Sequence, residues 1–201
     1  MKRIILALVL LLSCAGLAPA AEKPLLLDDF QGVISGGPEG TVDFGSGNGS
    51  TLEVSAASDI KKFGKQSLKA NYNAVAGGYI YIAKGFGLDA KNAGWLVKPL
   101  DIDWKNYSAL AFYLYGSDSK AKIAVDLKDS GNEMWRFIIT DNFLGWRQIV
   151  CSLKDFYIRG DWQPQSADKN RILDFPLQSY QFELLPEAKG VFYFEQVELI
   201  K

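Results

Sequence analysis

The chain of 201 residues has no histidine. That absence excludes metal sites built on imidazole and hydrolytic triads of the Ser-His-Asp kind. Cysteine is nearly missing as well, with only Cys14 and Cys151. Because Cys14 falls in the leader described next, a single thiol remains, and neither a disulfide framework nor a thiolate metal site can be built from it. No block of basic residues occurs anywhere, and the formal net charge is −1, so nucleic acid is not an expected partner. Long apolar runs are absent too. The N-terminal run Ile4 to Leu12 is far short of the roughly 20 residues that cross a bilayer as a helix, and no transmembrane segment is expected.

What is present at the N-terminus reads as a secretory leader over residues 1–20. Lys2 and Arg3 form a basic start, Ile4 to Leu12 an apolar centre, and Ala18-Pro19-Ala20 a small-residue cleavage site. Leu11-Leu12-Ser13-Cys14 offers a second reading, a lipobox in which Cys14 is acylated. Both place the protein outside the cytoplasm, in the periplasm or the extracellular space. Cleavage after Ala20 removes two basic and no acidic residues, leaving a mature charge of −3. Residues 21–201 are expected to form one domain, a size that all-β domains commonly reach undivided.

Along the mature chain, short apolar or alternating segments are separated by turns rich in Gly, Asp, Ser and Asn. Strands are predicted at Leu25–Phe30, Thr51–Ser55, Gln66–Tyr72, Tyr79–Ile82, Ala109–Tyr115, Lys122–Leu127, Glu133–Ile139, Trp146–Cys151, Tyr180–Leu184 and Val191–Ile200. Gly45 to Ser50 reads as a loop. About ten antiparallel strands with almost no helical period make an all-β sandwich or jelly roll. Cys151, inside an apolar strand, reads as a small core residue.

Period-2 alternation assigns faces within each strand. Ile123, Val125 and Leu127 share one face, so Lys122 and Asp126 share the other. Trp135, Phe137 and Ile139 likewise leave Arg136 on the opposite, solvated face. Asp126 and Arg136 can bridge each other or grip hydroxyls. Tyr79 and Tyr81 share a face, as do Tyr113 and Tyr115. Aromatic rings pack on the C–H face of a pyranose, while carboxylate, guanidinium and amide groups suit its hydroxyl rim. One concave sheet carrying such residues would hold a sugar.

Several motifs, in order, resemble the family 11 carbohydrate-binding modules. They are Leu27-Asp28-Asp29-Phe30-Gln31-Gly32, Gly78-Tyr79, Asp103-Trp104 before Ala109-Leu110-Ala111-Phe112, Gly145-Trp146-Arg147 before Leu153-Lys154-Asp155-Phe156, Asp161-Trp162-Gln163-Pro164, and the closing Phe192–Ile200. The resemblance implies a galactose-binding-like jelly roll, acting as a monomer, that binds a β-glucan polysaccharide or oligosaccharide in an open cleft with structural calcium. By position, Tyr79 matches a cleft tyrosine, Arg159 falls near a cleft arginine, and Trp162 replaces the tyrosine of Asp-Tyr-Gln-Pro. Asp161 and Gln181 complete the candidate set. Gly77 stands where the family has an acid, and Gln181 and Leu184 where His and Tyr are expected. Asp28, Asp29 and Glu195 are the implied calcium ligands.

Two other readings remain open. The Asp-Asp-Phe opening and Gly94-Trp95 also resemble the complex I intermediate-associated family, which implies an exported scaffold. Hydrolysis would need paired carboxylates, for which Asp126 with Glu133 or Glu183 are candidates. A chain with 23 acidic residues supplies such pairs by chance, and no enzyme activity is expected.

Overall fold

The computed structural model describes residues 23–201. The predicted leader, its cleavage site and Cys14 lie outside them. Twelve strands follow in chain order: β1 (Leu25–Asp28), β2 (Asp43–Gly47), β3 (Thr51–Ala57), β4 (Ser67–Ala74), β5 (Tyr79–Gly85), β6 (Ala109–Ser117), β7 (Lys122–Lys128), β8 (Met134–Thr140), β9 (Leu144–Ser152), β10 (Tyr157–Ile158), β11 (Ser179–Leu184) and β12 (Ala188–Ile200). Three short 3-10 turns interrupt the loops. No helix among the described residues is long and apolar enough to cross a membrane.

The strands form two antiparallel sheets. One runs β3-β4-β12-β6-β9, with β1 also paired to β12, and the other runs β10-β8-β7-β11-β5-β2. The long β12, 13 residues, serves two neighbours on the side away from β6, and its pairing with β6 shifts register between Glu195 and Glu198. It pairs β4 through Ala188–Phe194 and β1 through Val197–Leu199.

The two sheets meet through the alternate residues that the sequence marks as apolar. Leu110, Phe112 and Leu114 of β6 and Phe192 and Phe194 of β12 face Ile123, Val125 and Leu127 of β7 and Tyr180, Phe182 and Leu184 of β11 in one core. Phe182 is at its centre, with ring centroids 4.4 Å from Phe194 and 4.7 Å from Phe112. Burying each such ring contributes about 1.5–3 kcal/mol. Cys151 is fully buried in this core, and burial pushes its thiol up to about 12.

The all-β sandwich agrees with the expectation, with two strands beyond the ten predicted. One is β10, only two residues long. The other is β2, whose sequence Asp-Phe-Gly-Ser-Gly reads as a loop because glycine is disfavoured in strands.

Tyr113 and Tyr115 require a correction. They do share a face, but β6 belongs to the sheet opposite β5, so they cannot join Tyr79 and Tyr81. Tyr113 packs edge-on to Phe63, and Tyr115 edge-on to Trp146 and Tyr193. Alternation orders residues within one strand and is blind to which sheet the strand enters.

Candidate functional site

The outer face of the β10-β8-β7-β11-β5-β2 sheet is set by its register. Directly opposed residues point the same way. One row across the sheet is therefore Tyr157, Arg136, Asp126, Gln181, Ala83 and Asp43. The next is Ile138, Ala124, Glu183, Tyr81 and Gly45, and beyond it Tyr79 lies opposite Gly47. Every intervening residue on β5, β7 and β11 faces the core.

The middle of this face is an ion network. Arg136 donates from Nε and Nη2 to the two oxygens of Asp126, 2.8 Å each, and also to Glu183. Arg159 donates from Nη1 to Asp126 at 3.0 Å, contacts Glu183 Oε2 at 3.0 Å, and forms a two-point pair with Asp161 at 2.9 Å each. Asp126 is fully buried, whereas the Asp161 side chain is 58% exposed. The protonation preferences follow. Hydrogen bonds from Arg159 hold Asp161 below the usual carboxylate range, and burial raises Glu183 against the pull of Arg159 and Arg136. Burial also disfavours charge on Arg136, but its bonds to Asp126 outweigh that and raise its affinity for the proton.

The segment that brings Arg159, Asp161 and Trp162 here is pinned by one side chain. The Gln163 amide accepts from Met134 N and donates to Met134 O and Arg159 O, 2.8 Å each. It thereby ties the Asp-Trp-Gln-Pro turn to the edge of β8. The Arg159 guanidinium lies 5.5 Å from the centre of the Trp162 ring.

Between these elements is a cleft of about 580 Å³ lined by Tyr79, Ile80, Tyr81, Asp89, Arg159, Trp162, Gln181 and Glu183. Tyr79 and Trp162, at 47% and 53% exposure, are its free aromatic surfaces. On one wall the Tyr81 hydroxyl donates to Asp43 Oδ1 at 3.3 Å, and Asp43 Oδ2 accepts from Asp89 N at 2.9 Å. Burial, then Asp43, pushes the Tyr81 phenol up to about 12. A larger groove, about 730 Å³, lies elsewhere among Trp104, Tyr107, Leu153 and Phe175. Its walls are mostly apolar, and its charged lining residues, Lys105 and Lys154, are of one sign, without the carboxylate and amide that join the guanidinium and rings in the first cleft.

Of the ten candidate sugar-binding residues, the fold gathers Tyr79, Tyr81, Arg159, Asp161, Trp162 and Gln181 on this face. Arg136 and Asp126 are there too, but beneath it. Asp126 exposes nothing to a ligand, so its part is to hold two guanidinium groups rather than to grip hydroxyls. Tyr113 and Tyr115 are on the far sheet. Sequence reading did not place Glu183 in the cleft, although alternation from Gln181 points to it. Asp89, in a loop, carries no such signal. Leu184 faces the core, 1% exposed.

The carboxylates named for hydrolysis are poorly placed for it. Asp126 is sealed by arginines, and Glu133, also buried, accepts from Arg171 N at 2.8 Å.

The implied calcium ligands have partners within the protein, although Glu195 Oε1 is buried with none. Asp28 is ion-paired with Lys84 of β5, Asp29 accepts from Gln31 N at 3.0 Å, and Glu195 accepts from Lys62 N and Phe63 N at 2.9 Å each. Burial raises both Asp28 and Glu195, opposed by these bonds. Among the described residues no three His, Cys, Asp or Glu side chains are grouped to hold a metal. The lysine ammonium supplies the positive charge that a calcium ion would bring to Asp28, so Asp28 does not fit the ion as a ligand.

Comparison with known proteins agrees with the geometry. No curated protein matches the chain significantly. Among solved structures, the chain is similar to the family 11 carbohydrate-binding module of the cellulosomal cellulase Lic26A-Cel5E of Clostridium thermocellum. The TM-score is 0.67 at 21% identity, covering 90% of this chain and 96% of that one. A Clostridium thermocellum family 11 module in complex with a β-1,3-1,4-mixed-linked tetrasaccharide gives 0.66 at 21%, covering 90% and 97%. A β-1,2-glucanase from Parabacteroides distasonis gives 0.55 at 14%, covering 89% of this chain but 24% of that one. The model of the family 11 carbohydrate-binding domain matches residues 16–201, and the chain belongs to that family.

Proposed function

We propose that this domain binds a β-glucan chain along the cleft, mixed-linkage β-1,3-1,4-glucan first, as an exported module that does not cleave it. The observation that carries this reading is the convergence of two free aromatic surfaces, Tyr79 and Trp162, on a cleft whose floor presents Arg159, Gln181 and Glu183. Rings take the C–H faces of successive pyranoses, and the fixed charges and amide take their hydroxyls. The tetrasaccharide bound by the Clostridium thermocellum module supports the choice of sugar. The absence of catalysis is supported by the inaccessibility of Asp126 and the double arginine pairing of Glu183.

Affinity electrophoresis through barley β-glucan, xyloglucan and an unrelated polymer tests the reading. Retardation by β-glucan is expected. Tyr79→Ala and Trp162→Ala are each expected to weaken it about tenfold, or ~1.4 kcal/mol. Unretarded migration of the native chain in every gel refutes it, and release of reducing sugar from any of these polymers refutes the non-catalytic part.

A further inference from the structure

β2, one of the two strands that the sequence does not announce, lies directly beneath the aromatic wall. Strand side chains ordinarily stand roughly perpendicular to their sheet. Tyr79 and Tyr81 instead lean sideways from β5 across β2. A methyl carbon added to Gly47 would lie 2.5 Å from Tyr79 Cε1 and 2.7 Å from its hydroxyl oxygen. One added to Gly45 would lie 2.8 Å from Tyr81 Cε1 and 3.1 Å from its hydroxyl oxygen. Each ring therefore fills the volume that a side chain on its opposite partner would take, and Asp43 receives the Tyr81 hydroxyl at the end of the same strand.

We propose that β2 is the seat of the aromatic platform: Gly45 and Gly47 are positioning residues whose missing side chains let Tyr81 and Tyr79 lie across the edge strand and turn their ring faces to the polysaccharide. This rests on the glucan-binding reading above. The competing explanation is structural, since an aromatic side chain packed over a cross-strand glycine also stabilises an otherwise weak edge strand.

The two explanations diverge in what alanine does. Neither glycine has a left-handed φ, so alanine fits the backbone at both. It also removes the excess chain entropy that glycine loses on folding. The atoms in its way are the far ends of tyrosine rings, which rotate more readily than backbone moves. Alanine should thus leave the domain as stable or more so while forcing the ring upright.

The experiment uses the full chain with Gly47→Ala and Tyr79→Ala, singly and combined, in barley β-glucan affinity gels and thermal melts. Gly45→Ala with Tyr81→Ala is a parallel cycle. Gly47→Ala is expected to weaken binding about fivefold, to keep or raise the melting temperature, and to add no further loss to Tyr79→Ala. Full retention by Gly47→Ala, or an equal further loss in the Tyr79→Ala background, overturns the proposal.

A sugar-free readout separates this from the binding reading. In NMR spectra of the free chain, the Gly47 Hα protons are expected upfield of ordinary strand values, returning to them in Tyr79→Ala. Ordinary Gly47 shifts in the native chain overturn the ring placement. Shifted Gly47 protons in a native chain that binds no glucan overturn the binding reading while the placement stands.

Discussion

Replacing Asp126 with Asn tests whether the buried network holds the site together. Asp126 is fully buried and takes three hydrogen bonds, two from Arg136 and one from Arg159. Next to it, Glu183 contacts the same two guanidinium groups. The buried part is thus balanced, two cations against two anions, with Asp161 at the solvent edge. Asn keeps the shape but removes one anion, leaving a buried cation short of a partner. Breaking a buried pair in this way costs about 3–5 kcal/mol. Asn retains one acceptor, which favours the lower end, about 3 kcal/mol. For a domain of this size that corresponds to a fall in melting temperature of about 6–12 °C. Circular dichroism melts at neutral pH measure it. Combining Asp126→Leu with Arg136→Leu deletes one charge of each sign and leaves Arg159 with Glu183 and Asp161, so the double variant is expected to melt higher than Asp126→Leu alone. A fall for Asp126→Asn of less than about 2 °C, or a double variant worse than the single one, would show that the charges are not what holds this face.

Phe182→Ala removes the ring at the contact between the two sheets and is expected to cost about 3–5 kcal/mol, read as a lower urea midpoint; an unchanged midpoint would disprove its place in the core. Lys84→Met leaves the Asp28 carboxylate buried without its ammonium and is expected to cost about 3 kcal/mol at neutral pH. Because burial already raises Asp28 above 3.8, the folded state binds that proton more tightly than the unfolded one. The stabilising contribution of the proton is complete below 3.8 and is lost as pH rises through the folded value. Losing Lys84 raises Asp28 further, so Lys84→Met is expected to recover stability on acidification more than the native chain does. Melts from pH 3 to 7 show whether it does. With Lys84 in place, EDTA is expected to leave the native melting temperature unchanged, and a fall restored by added calcium would show that an ion site exists.

Much of the architecture is legible in residue order because its cause is local. The alternation Ile123, Val125, Leu127 against Lys122 and Asp126 reflects a pleat that reverses each side chain, and the structure keeps that division. The same rule places Arg136 beside Asp126 once β7 and β8 are taken as neighbours. It fails at β2, where glycine is present to receive a ring from β5, a reason invisible within the segment itself. The Asp-Trp-Gln-Pro turn is recognisable as a motif, yet only the pairing of Gln163 with Met134 and Arg159 explains why its arginine and tryptophan reach the cleft.

The amino-acid order alone determined an all-β sandwich, the inner and outer residues of each strand, and the types of side chain available to hold a sugar. Tertiary structure decided that Tyr113 and Tyr115 are on the wrong sheet, that Asp126 is sealed beneath the surface, and that Glu183 and Asp89 enter the cleft. The division follows from the range of the forces involved. Pleat and turn geometry act over a few residues, whereas sheet membership depends on hydrogen bonds between segments as distant as β5 and β11, whose pairing no local pattern records.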